Sequence, residues 1–105
     1  MEKVKVFWDG YSMAAIANLC DTLSTYTPEG HSLERLVVLE WYEENFTKIL
    51  RGEKEFKFKL KQSQAYAFRR LLLVVGMNNL IEDAIRNIIV AELDRNLHNQ
   101  KLLTQ

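Results

Sequence analysis

The sequence predicts a predominantly helical α+β fold, and three observations carry that reading. Long stretches repeat apolar residues at helical spacing, and two short stretches alternate apolar with charged or polar residues. Four glycines and one proline cut the chain into segments of helical length. Together these predict helices over about 11–25, 32–51, 63–75 and 79–99, with a candidate two-stranded pairing of residues 3–8 and 55–61. The alternative architecture is an all-α bundle in which residues 3–25 form one long helix.

Lys3-Val4-Lys5-Val6-Phe7-Trp8 alternates charged and apolar residues and reads as a strand. Val4, Trp8, Tyr11, Ala15 and Leu19 also fall at helical spacing, so a helix competes there; Gly10 inside that run opposes it. From Tyr11 the positions Ala15, Ile16, Leu19, Cys20 and Leu23 form one helical face. A polar loop follows, with two competing helix starts. Thr27 as N-cap before Pro28 is one, and Ser32 after Gly30 is the other.

Leu33 to Leu50 is the plainest helix, with a stripe of Leu39, Tyr42, Phe46, Ile49 and Leu50 widened by Leu36, Val38 and Trp41. Glu44 and Lys48 stand at i,i+4 on it, and Gly52 suits a left-handed cap after it. Phe56, Phe58 and Leu60 alternate with Lys57, Lys59 and Lys61, the cleanest strand signature in the chain. A lone strand leaves its backbone unpaired, so it is expected to pair with 3–8, within this chain or across a dimer. Ser63 is the expected cap of the next helix, which is apolar on almost every side and therefore central in its own domain or buried against a partner. Asn78 or Asn79 starts the last helix, with Glu82 and Arg86 at i,i+4 on it, and the tail 100–105 is expected to fray.

A chain of 105 residues has room for a single domain, 1–105, and its 48% hydrophobic content is ample for one core. No apolar run approaches the roughly 20 residues of a membrane helix, so no membrane partner is expected. One cysteine and the lack of an apolar leader at the N-terminus suggest a cytoplasmic setting. Lysine plus arginine equals aspartate plus glutamate, 14 each, so bulk charge selects no partner. The charges are segregated, however. Residues 51–70 carry seven basic and two acidic side chains, whereas residues 29–44 carry five acidic and one basic.

The sequence marks no catalytic, cofactor-binding or metal residues, and no cofactor is expected. His31 and His98 stand at metal spacing neither from each other nor from Cys20. His98 follows Asp94 by four residues and reads as helix-end capping. Glu40, Glu43 and Glu44 read as a solvated face, and Cys20 as core. No feature supports an enzyme.

The leading functional reading is therefore a non-enzymatic interaction or structural protein, a homo-oligomer or small adaptor. Its contact would use Trp41, Phe68, Leu72 and Leu73. The alternative is a small nucleic-acid-associated protein using Lys57, Lys59, Lys61, Arg69 and Arg70. Against it stands the placement of Phe56 and Phe58, which fall on the strand face opposite the lysines. Stacking requires rings and cations on the same surface.

Overall fold

A computed structural model describes residues 3–76 and 80–104, with side chains in the last helix described from Glu82 to His98. The element order is β1 (Val4–Asp9), α1 (Gly10–Thr25), α2 (Ser32–Leu50), β2 (Glu55–Leu60), α3 (Gln62–Val74) and α4 (Leu80–Thr104). The fold is a helix-rich α+β arrangement with one two-stranded antiparallel sheet. The strands pair within the chain, Val4 opposite Leu60 through to Asp9 opposite Glu55. Residues 3–8 are thus not helical: Val4, Val6 and Trp8 turn inward while Lys5, Phe7 and Asp9 turn outward.

Asp9 ends the strand and starts the helix. Its backbone is extended, and its Oδ1 accepts the Ser12 N–H at 2.8 Å, so α1 begins at Gly10. Arg35 Nε donates to the Leu23 carbonyl at 2.7 Å, satisfying an end carbonyl of α1 and fixing α2 to it. The later of the two expected starts holds for α2, but Ser32 is its first helical residue and His31 occupies the cap without a side-chain hydrogen bond. Gly52 has φ +67° after α2, the left-handed turn expected of it. Ser63 lies inside α3 instead of capping it; the Lys61 N–H is met by Gln64 Oε1 at 2.9 Å. The Asn78 or Asn79 start lies outside the described residues. The last helix continues to Thr104, beyond the expected end at 99.

One contiguous core unites the inner sheet face with all four helices. Its centre is four rings: Trp8 and Phe58 from the sheet, Trp41 from α2 and Phe68 from α3. Trp41 meets Phe58 edge-on at 5.0 Å and Phe68 at 4.9 Å between centroids, the arrangement that aromatic quadrupoles favour. This cluster rotates α2 from its expected orientation. Val38 and Trp41 are buried, while Phe46 and Leu50 from the expected stripe are exposed. The apolar α3 is central in this chain's own fold, between α2 and α4.

Both edges of the narrow sheet are closed by side chains. Glu92 Oε2 accepts the Phe7 N–H at 2.9 Å, and Asn96 Nδ2 donates to the Lys5 carbonyl at 2.6 Å, so α4 covers the β1 edge. On the β2 edge, Lys48 Nζ of α2 donates to the Lys57 carbonyl at 2.5 Å. Lys48 also lies 4.5 Å from the Phe58 ring centre, and these two contacts replace the expected ion pair with Glu44.

Candidate binding surface

The outer sheet face is built by period-two alternation and register together. Lys5 lies opposite Lys59, Phe7 opposite Lys57, and Asp9 opposite Glu55. Because the Phe7 N–H and Lys5 carbonyl point away from β2 toward α4, these are the non-hydrogen-bonded pairs. In such pairs the Cα atoms stand about 4.5 Å apart and the side chains come closest. Two lysines directly opposite one another therefore repel at short range, a destabilising arrangement. Among the described residues, no carboxylate lies within ion-pair distance of Lys5, Lys57, Lys59 or Lys61. Phe7 is 54% exposed at the centre of this face, and Lys57 Nζ sits 5.8 Å from its ring centre.

A depression of about 270 Å³ lies over this face, bordered by Lys5, Phe7, Lys57 and Lys59. It shares Lys57, Phe58 and Lys59 with a groove of about 380 Å³ between β2 and α2. Lys3, Lys48 and Lys61 join Lys57 and Lys59 along that groove, and Glu44 is its one carboxylate. Asn45 and Gln64 add amides, and Trp41 and Phe58 contribute rings to its wall. The groove thus has charge and amide groups for holding an anion, and it carries no imidazole, thiol or hydroxyl among its lining side chains.

Lys57, Lys59 and Lys61 are brought together here, but Arg69 and Arg70 are not. Arg69 is paired with Asp94 of α4, and Arg70 NH1 lies 3.6 Å from Glu34 of α2. The expected five-residue basic surface therefore divides, because α3 turns its arginines toward the flanking helices. The Arg70–Glu34 pair is also where the basic and acidic segments meet inside the fold. Asp94 is engaged by Arg69, and His98 lines the same adjacent groove.

The residues expected at a partner contact also need correction. Trp41, Phe68 and Leu72 are buried in this chain's own core, with Trp41 forming part of the wall of the groove beside β2, and of the four only Leu73 is exposed. Two residues with the strongest claim to the binding surface, Lys5 and Phe7, escaped the sequence reading. Their signal was present: the alternation that turns Val4, Val6 and Trp8 inward necessarily turns Lys5 and Phe7 outward. Pairing with β2 then sets a ring among the lysines, the arrangement that Phe56 and Phe58 could not provide.

Elsewhere, Cys20 is buried in the core, where burial and then the Asp21 charge push its thiol up to about 12. Among the described residues, no group of three His, Cys, Asp or Glu side chains is placed to hold a metal ion. None of the described helices is long and apolar enough to cross a membrane. Compared with protein-family models, curated proteins and solved structures, the chain matches none.

Proposed function

We propose that the protein is a non-enzymatic interaction protein whose working surface is the outer face of the β1–β2 ribbon, where it takes an anionic partner. The carrying observation is the Lys5–Lys59 juxtaposition beside exposed Phe7. The fold gains nothing from two ammonium groups set opposite each other, whereas an anionic partner turns their repulsion into attraction. The groove beside β2 extends the same field with further lysines. The single cysteine, buried and needing no partner, suits a cytoplasmic setting.

Chromatography on immobilised heparin, a sulfated polyanion, tests the reading. The chain is expected to be retained at about 50 mM salt, and a Lys5→Ala/Lys59→Ala variant to elute earlier. An Arg69→Ala/Arg70→Ala variant is expected to elute with the unaltered chain, because those arginines are already paired. Passage of the unaltered chain without retention would end the proposal.

A second surface favours the homo-oligomer reading. Leu33 is 72% exposed and Leu73 51% exposed, with Leu36 and Tyr66 also exposed on the same helices. Leu33 and Tyr66 border a groove of about 320 Å³ that also holds Arg70 and Glu34. A patch carrying both charges can meet its own two-fold copy, as a symmetric dimer requires. Sedimentation equilibrium is the test: a dimer that Leu33→Asp dissociates supports it, and a 12.3 kDa species at every concentration contradicts it.

A further inference from the structure

We infer that the partner of the ribbon face is a single-stranded nucleic acid. This rests on the proposal above and adds the ligand's chemistry. An acidic peptide would satisfy the lysines, but it would leave Phe7 facing water. A nucleic-acid strand supplies both complements, phosphates for the ammonium groups and flat bases for the ring. Phe7 follows Lys5 on β1, which Lys3 precedes, and lies beside Lys57 and Lys59 on β2, which Lys61 follows as the cap of α3. Same-side residues along a strand recur about every 6.6–6.8 Å, a repeat that an extended sugar–phosphate backbone can follow.

The shape selects a single strand over a duplex. A two-stranded ribbon reads duplex DNA by protruding into the major groove. Here α4 and α2 contact the two ribbon edges, and depressions lie over and beside the face, so the ribbon forms a floor. Stacking on Phe7 also needs an unpaired base, which a duplex does not present. Asp9 and Glu55 end the face beyond Phe7 and Lys57, so phosphates are excluded there. The strand therefore runs from the Lys3 and Lys61 end to Phe7, with the groove beside Lys48 as its flank.

Fluorescence anisotropy with a labelled twelve-residue oligothymidylate tests this. Three or four phosphate contacts give a slope of log affinity against log salt of about −2 to −3. Lys59→Ala is expected to reduce that slope by about 0.7. Phe7→Leu, which keeps apolar bulk and removes the π surface, is expected to weaken binding about 5- to 150-fold with the slope unchanged. Phe7→Trp, which restores a π surface, should bind at least as tightly as the unaltered chain. Polyglutamate and a blunt duplex are the comparison probes, and both should bind more weakly than the oligonucleotide. Polyglutamate or the duplex binding as tightly, or Phe7→Leu binding unchanged, would overturn the inference while retention on heparin kept the anionic surface standing. Loss of both oligonucleotide and heparin binding would remove the two together.

Discussion

The indole of Trp8 and the carboxylate of Glu92, 84 residues apart in sequence, are joined by a 3.0 Å hydrogen bond from Nε1 to Oε1. The other oxygen of the same carboxylate takes the Phe7 N–H. One side chain of α4 therefore holds a core ring and the adjacent strand edge, and through that edge it sets where Phe7 stands. Glu92→Ala leaves both donors without this acceptor and is expected to cost about 1–3 kcal/mol in urea unfolding. An unchanged midpoint would show that water replaces the carboxylate fully.

Glu92 also carries a pH signature. Burial raises its pKa, outweighing the lowering by the Phe7 N–H, the Trp8 indole and Arg95. A carboxyl whose folded pKa lies above its unfolded value favours folding most once protonated. Its contribution is present below the unfolded value of about 4.5 and is lost as pH rises through the raised folded value. The stability of the unaltered chain relative to Glu92→Gln is therefore expected to improve between pH 7 and pH 4.5. Parallel urea titrations at the two pH values measure it, and a difference moving the other way contradicts the assignment.

Trp41 is a core ring, packed edge-on against Phe58 and Phe68. Trp41→Ala is expected to destabilise by about 3–5 kcal/mol, and Leu73→Ala by no more than about 0.5 kcal/mol. Thermal or urea melts distinguish the two. A mild effect at Trp41 would return it to the surface role that the sequence suggested.

These two residues show where sequence reading succeeds and where it stops. The strand alternation at 3–8 and 55–61, Gly52 after α2 and the apolar character of α3 were all legible, because each is a local pattern. The orientation of α2 was not, because two stripes compete on it and the ring cluster with Trp8, Phe58 and Phe68 decides between them. Lys57, Lys59 and Lys61 were legible as one basic face for the same local reason. Phe7 joins them only through the β1–β2 register, and Arg69 and Arg70 leave them only because Asp94 and Glu34 arrive on other helices. Long-range pairing thus decided the make-up of the surface.

The like-charge pair on the ribbon gives a stability test independent of any ligand. Lys59→Glu places a carboxylate opposite Lys5 and is expected to stabilise the fold by about 0.2–1 kcal/mol at low salt. The gain should shrink at about 1 M salt, where the Debye length falls to about 3 Å. A loss of stability at low salt would mean that the two ammonium groups do not oppose each other.

Cys20 reports on the core. With its thiol buried and its pKa pushed up to about 12, it is expected to resist iodoacetamide at pH 8 in the folded chain and to react in urea. Mass spectrometry of the alkylated product reads the outcome. Rapid modification of the folded chain would contradict the packing of α1.

The most direct measurement is an amide-resolved NMR titration of the intact chain with oligothymidylate. Shifts are expected to concentrate at Lys5, Phe7, Lys57 and Lys59 and to spread to Lys48 and Lys61 along the groove. Shifts confined to Leu33, Tyr66 and Leu73, or none at an oligonucleotide excess, would contradict the assignment of the ribbon face as the working surface.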